Sequence, residues 1–139
     1  MYQITGNEYI SLPQIRESDG AVENLTFLYM NAKGMIEMTG KPALIRPYIR
    51  IDGKELSFQP EWKLTEYWIP TARMKTDQVT FESTYLTPIG EKGFIFHSYI
   101  RNNSNHKLDC RFGTAGEWTE TNHRVNEKLS VPEGKETRP

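Results

Sequence analysis

From Val22 onward, short runs rich in Val, Ile, Phe, Tyr and Thr alternate with Gly, Pro, Asn and Asp, a spacing typical of β-sandwiches and barrels. No stretch places apolar residues at the 3.6-residue period of an amphipathic helix. Aromatic residues, which favour strands, make up 12% of a chain that is only 37% hydrophobic. The pattern predicts an all-β fold, an antiparallel β-sandwich of about eight strands.

At 139 residues the chain is long enough for one domain. Residues 1–20 are polar and predict a lead-in of undefined structure, and residues 21–130 form the predicted sandwich. Residues 131–139 are charged and flanked by Pro and Gly, which indicates a linker or a frayed tail. The predicted strands are residues 23–30, 35–39, 43–51, 54–58, 62–74, 78–87, 94–101 and 107–112.

Two turns divide these strands most clearly. Asp52-Gly53 supplies the two positive φ angles of a type I′ hairpin, and residues 88–93 combine Pro with two Gly. The strand over residues 94–101 is apolar on most of both faces, which predicts a central position in a sheet.

Charge and composition exclude several classes of function. Lys and Arg number 17 against 18 Asp and Glu, and the formal net charge of -1 gives no footprint for nucleic acid or anionic lipid. The low hydrophobic content excludes a membrane protein. One cysteine, Cys110, cannot form an internal disulfide, and the opening MYQITGNEYI lacks the basic and apolar regions of a signal peptide, so we expect a cytoplasmic location.

Chemistry-bearing motifs are scarce. His97, His106, His123 and Cys110 do not fall at metal-ligand spacings, so no metal site is predicted. Glycine-rich phosphate loops and nucleophile elbows are absent from the sequence, and we predict no cofactor and no catalytic residue. Cys110 alternates with apolar strand residues and favours a packed thiol, and His97 favours a hydrogen-bonded structural role.

Two aromatic clusters are candidate ligand sites. Glu117 and Trp118 suggest a sugar contact, because an indole stacks on a pyranose face while a carboxylate binds hydroxyls; the alternative is a solvated loop after the last strand. Trp62 and Trp68 share a strand face, either as a stacking platform or as a core anchor and an edge residue.

The order of these elements from Ile45 to Trp118 resembles the amino-terminal β-sandwich, called a supersandwich or galactose-mutarotase-like domain, of bacterial glycoside hydrolases with a six-hairpin (α/α)6 barrel. The likeness covers about half of the chain and consists of turn and strand patterns. It is carried by Asp52-Gly53, Trp62, Trp68, residues 77–82 (DQVTFE), 85–88 (YLTP), 92–96 (KGFIF), 99–104 (YIRNNS), 111–113 (RFG) and Glu117-Trp118.

The resemblance implies that the catalytic carboxylates lie on a helical barrel outside this chain. The expected function is then a non-catalytic sandwich of a glycoside hydrolase that supports the barrel and contacts sugar. The expected partners are carbohydrate and either that missing catalytic domain or a second copy of the chain. The alternatives are a free-standing carbohydrate-binding module, or a mutarotase-like epimerase that uses His97 with Glu117.

Overall fold

The computed structural model describes residues 1–29 and 34–125, and the secondary structure there is entirely antiparallel β-strand. The predicted all-β class is confirmed, with twelve strands in the described residues instead of about eight. Residue 30 of the first predicted strand and the predicted tail over residues 131–139 lie outside the described residues. The strands are β1 (Tyr2–Gly6), β2 (Ile10–Arg16), β3 (Val22–Tyr29), β4 (Gly34–Gly40), β5 (Arg46–Ile51), β6 (Lys54–Glu55), β7 (Glu61–Thr65), β8 (Ile69–Lys75), β9 (Val79–Leu86), β10 (Ile95–Asn102), β11 (Cys110–Ala115) and β12 (Trp118–Val125).

These strands form three sheets around one core. A five-stranded sheet has the order β1-β2-β3-β4-β12, a four-stranded sheet β10-β9-β8-β7, and a three-stranded sheet β11-β5-β6. Strand β1 lies against β8 and β9, so the two larger sheets face each other. The core side chains are Ile10, Leu12, Ile15, Val22, Leu25, Ile49, Ile51, Phe58, Ala72, Met74, Val79, Phe81 and Tyr85.

Residues 1–20 are not the undefined lead-in that their polarity predicted. They form β1 and β2, and the side chains of Ile10, Leu12 and Ile15 are fully buried. The pairing of β2 with β3 shifts register between Ser11 and Gln14, where Pro13 has no N–H to donate. This bulge breaks the strict two-residue alternation, and the pattern of a buried strand is therefore hidden in the sequence.

The predicted long strand over residues 62–74 is a hairpin, β7 and β8, in which Glu66, Tyr67 and Trp68 connect Thr65 to its partner Ile69. Glu66 and Tyr67 both have positive φ, 51° and 69°, as the two central residues of a type I′ turn do. Asn-Gly or Asp-Gly is the usual choice there, because a left-handed conformation costs a non-glycine residue about 1 kcal/mol or more. The turn therefore has no signal in its amino-acid sequence.

Strand β10 lies at the edge of the four-stranded sheet and not in the predicted central position. Its inner face, which includes Phe96 and Ile100, packs half-buried on the core, whereas Ile95 and Tyr99 on the outer face are exposed. Although β10 has apolar residues on both faces, no second layer of the described residues covers its outer face.

The turn between β2 and β3 is held by a charge cluster. Arg16 donates two hydrogen bonds to the Asp19 carboxylate, at 2.8 and 2.6 Å, and a third to Glu23 at 2.6 Å. The Ala21 N–H also donates to Asp19, at 3.2 Å. Burial acts to raise the pKa of Asp19, but the hydrogen bonds from Arg16 and Ala21 outweigh it and hold that pKa below its usual range.

We expect Asp19→Asn to lower the free energy of unfolding by about 1 kcal/mol at pH 7. The depressed pKa means that the Asp19 contribution is complete above the unfolded-state pKa, near 4, and disappears as the pH falls through the folded-state value. Urea unfolding at pH 7 and at pH 3 measures this, with Asp109→Asn as the exposed control. Equal acid sensitivity in Asp19→Asn and the parent chain would contradict the assignment.

Candidate ligand-binding site

Trp118 is an exposed aromatic ring whose polar edge is fixed. It begins β12, one of the two edge strands of the five-stranded sheet, and its side chain is 64% exposed. The indole Nε1–H donates to the Glu120 carbonyl oxygen at 3.1 Å and to the Thr121 hydroxyl at 2.8 Å. The register of β12 on β4 shifts between Trp118 and Glu120, and such a bulge redirects a side chain. The ring is thus held in place while remaining accessible to a ligand.

A close crossing of two backbone segments fixes the backbone of Glu117, the residue before Trp118. The Glu117 N–H donates to the Ala43 carbonyl oxygen at 3.1 Å, which ties the β11–β12 connection to the β4–β5 connection. A Cβ on Gly116 would lie 1.9 Å from the Leu44 carbonyl oxygen, and one on Gly40 would lie 2.3 Å from that of Glu117. Both glycines are required for the two segments to approach this closely.

A shallow cavity of about 230 Å³ adjoins Glu117. Arg46 and the exposed Glu117 are both lining residues, so a hydrogen-bond donor and an acceptor are available at this cavity. Arg46 is oriented by an ion pair with Glu55, at 2.8 Å. Saccharide hydroxyls, which donate and accept, match this pair of groups.

Trp62 packs against the core. Its side chain is half-buried, its Nε1–H donates to the Glu17 carbonyl oxygen at 2.8 Å, and its ring lies 5.8 Å from that of Tyr85. The sequence left two roles open for Trp62, a stacking platform and a core anchor, and in the structure it is a core anchor. Its indole offers little free face for stacking.

Trp68 does not share a strand face with Trp62 as predicted, because it lies in the β7–β8 turn, at the end of the four-stranded sheet. Its side chain is 46% exposed. The structure thus places the two exposed candidate tryptophans on different sheets, whereas Glu117 directly precedes Trp118 at the start of β12. Trp68 stays a candidate for a separate contact.

The residues weighed for catalysis do not converge. His97 is exposed on β10, Glu117 precedes β12 on another sheet, and no hydrogen bond joins them in the described structure. Burial and, after it, the charges of Asp52 and Asp109 raise the pKa of the Cys110 thiol, so this group is protonated at neutral pH. Within residues 1–29 and 34–125, no group of His, Cys, Asp and Glu has the arrangement of a metal site.

Sequence reasoning missed Arg46 and Thr121. Arg46 lies opposite Ala115 in the pairing of β5 with β11, a contact between distant segments that no local motif indicates. Thr121 follows Trp118 by three residues, and only the bulge in β12 brings its hydroxyl to the indole.

Within the described ranges, the chain has no helix of the length and apolarity that a membrane crossing requires. Comparisons of the sequence with protein families and with curated proteins, and of the fold with solved structures, find no match.

Proposed function

We propose that this chain is a non-catalytic β-sandwich domain of a carbohydrate-active protein and that it contacts saccharide through Trp118 and Glu117. The observation that carries the proposal is the Trp118 ring, 64% exposed yet fixed at Nε1 by two hydrogen bonds. A large apolar residue on a monomer surface more often rotates freely, and a ring held in one orientation loses less entropy when a ligand binds.

The chemistry around the ring suits a sugar. The apolar face of a pyranose stacks on an indole, while Glu117 accepts hydrogen bonds from the hydroxyls and Arg46 donates to them. Glycoside hydrolysis requires two carboxylates across a cleft, and Glu117 is the one carboxylate among the described residues that line this cavity. The site is therefore better suited to binding than to turnover.

The same proposal includes a supporting role toward a catalytic barrel, and a separate observation favours that role. Ile95 and Tyr99 on the edge strand β10 and Phe112 on the edge strand β11 are each about half exposed, at 49%, 54% and 56%. Exposed apolar residues on strands with one unpaired edge are a common basis of protein contacts.

Calorimetric titration with a panel of neutral oligosaccharides tests the sugar contact. We expect binding in the millimolar to micromolar range, weakened by about tenfold or more in Trp118→Ala and partly restored in Trp118→Phe, because the ring face supplies the contact. Tyr67→Ala, which removes a 95% exposed aromatic side chain elsewhere, is the matched control.

Two results would contradict the proposal. One is the absence of heat with every neutral saccharide at millimolar concentration, or equal binding by Trp118→Ala. The other is hydrolysis of aryl glycosides that Glu117→Gln abolishes, since a domain that only binds sugar has no such turnover.

A further inference from the structure

The outer face of the four-stranded sheet carries a second cavity, of about 470 Å³, away from Trp118. Three cationic side chains line it, Arg73 and Lys75 from β8 and Arg101 from β10, together with one carboxylate, Asp77. The lining is therefore net positive, although the chain as a whole has a net charge of -1.

The sheet register brings two of these cations onto either side of one hydroxyl. Lys75 lies directly opposite Thr80 on one side, and Arg101 lies directly opposite Thr80 on the other. Neighbouring strands are about 4.8 Å apart, so the backbones of Lys75 and Arg101 are separated by about 10 Å. Two flexible cationic side chains at this separation can both reach one oxyanion bound above Thr80.

Thr80 lines this cavity with a side chain that is held in place. Its side chain is 8% exposed, and its hydroxyl oxygen accepts a hydrogen bond from the Asn103 side-chain amide at 2.9 Å. Asn103 is itself fixed by a second hydrogen bond to the Thr76 carbonyl oxygen, at 3.1 Å. The Thr80 hydroxyl hydrogen has no acceptor among the described residues and is left to donate into the cavity.

The cations are also available. Among the described residues, neither Arg73, Lys75 nor Arg101 forms an ion pair. Glu82 and Glu61 lie directly opposite Arg73 on its two sides. The Glu82 carboxylate pairs with Lys63 instead, at 3.0 Å. No ion pair joins Arg73 to Glu61 in the described part of the chain.

We propose that Lys75, Arg101 and Thr80, with Arg73 beside them, bind the oxyanion of an acidic saccharide, a uronate carboxylate or a sulfate ester. Lys75 and Arg101 neutralise the charge, and the arginine fork and the Thr80 hydroxyl direct hydrogen bonds to the oxygens. This inference rests on the proposed function in one respect only, namely that the bound oxyanion belongs to a saccharide.

The lining favours a saccharide over a nucleic acid. Asp77 accepts the hydroxyl hydrogens that a sugar supplies, but it repels the closely spaced phosphates of a nucleic-acid backbone. Binding to such a backbone relies on an extended basic surface, whereas here three cations are confined to one cavity of a chain with net charge -1.

Calorimetry on the full chain at low ionic strength tests this site with trigalacturonic acid and with a sulfated trisaccharide. The methyl-esterified trigalacturonate is the matched neutral ligand, and inorganic phosphate and a single-stranded DNA oligonucleotide are the competing anions. We expect one or both acidic saccharides to bind, the neutral ester to bind at least about tenfold more weakly, and added salt to weaken binding. Whichever acidic saccharide binds identifies the oxyanion.

The Lys75→Gln/Arg101→Gln variant should lose at least about tenfold in affinity for the acidic saccharide. The control variant Lys107→Gln/Arg111→Gln removes the same charge from exposed positions and should bind as the parent does. Equal affinity in Lys75→Gln/Arg101→Gln, binding of neither acidic saccharide at millimolar concentration, or equal or tighter binding of the neutral ester, phosphate or DNA would overturn the inference.

The two proposals fail separately. Trp118-dependent binding of neutral saccharides without any preference for the acidic ones would remove the oxyanion site alone. Acidic-saccharide binding that depends on Lys75 and Arg101, in a chain that binds no neutral sugar, would remove the Trp118 site alone.

Discussion

Gly116→Ala should lower the free energy of unfolding by about 3 kcal/mol, because a Cβ at this position overlaps backbone that cannot move alone. The added carbon would lie 1.9 Å from the Leu44 carbonyl oxygen and 2.7 Å from its carbonyl carbon. The segment around Leu44 is itself fixed, since the Leu44 N–H donates to the Val22 carbonyl oxygen at 2.9 Å. Relief of the overlap therefore requires separation of the β4–β5 and β11–β12 connections.

Urea unfolding measures this loss, and Gly93→Ala is the matched control. Gly93 lies in a loop with no atom within 4 Å of an added Cβ, so the same substitution should change stability by less than about 0.5 kcal/mol. We also expect Gly116→Ala to weaken the sugar binding proposed for Trp118, because Glu117 and the start of β12 are displaced. Equal stability of the two variants would show that the crossing is looser than described.

Local pattern was sufficient for the fold class. The predicted strand over residues 78–87 is β9, and the alternating Val79, Phe81 and Tyr85 form its buried face, since each successive residue of a strand points to the opposite face of the sheet. The Asp52-Gly53 turn was correct for the same reason, because the signal lies within two residues and Asp52 and Gly53 both have positive φ.

Local pattern failed where long-range packing decides the conformation. Glu66 and Tyr67 adopt turn angles that their own chemistry disfavours, so the tertiary structure and not the sequence of the turn sets the β7–β8 hairpin. The position of β10 at an edge is decided by which strand pairs with it, and Phe96 or Ile100 carries no information on that.

The two candidate sites also differ in whether local sequence or long-range packing brings their residues together. Glu117 and Trp118 are neighbours in the sequence, and their cluster was predictable from it. The oxyanion cavity was not, because Lys75 and Arg101 are brought to Thr80 only by the pairing of β8 and β10 with β9. No motif spans these three strands, and the net charge of the chain conceals a local positive site.

Tyr85 connects three parts of the fold and should be the most costly side chain to remove. Its ring is fully buried and packs at 5.8 Å on Trp62 of β7 and at 5.1 Å on Phe96 of β10. Its hydroxyl donates to the carbonyl oxygen of Gly20, the residue at φ 69° in the β2–β3 turn. Burial, more than the Asp19 charge, raises the pKa of Tyr85, so the hydroxyl keeps its proton well into the alkaline range.

We expect Tyr85→Ala to lower the free energy of unfolding by about 4 kcal/mol, the usual cost of a large buried ring. Tyr85→Phe keeps the packing and leaves the Gly20 carbonyl oxygen unpaired, so its expected cost is about 1–2 kcal/mol. It remains measurable if Tyr85→Ala does not fold. Tyr99→Ala and Tyr99→Phe, at an exposed position of the neighbouring strand, are the matched controls and should each cost less than about 1 kcal/mol. A Tyr85→Phe variant as stable as the parent chain would mean that water satisfies the Gly20 carbonyl oxygen, and that the hydroxyl of Tyr85 does not hold the β2–β3 turn against the four-stranded sheet.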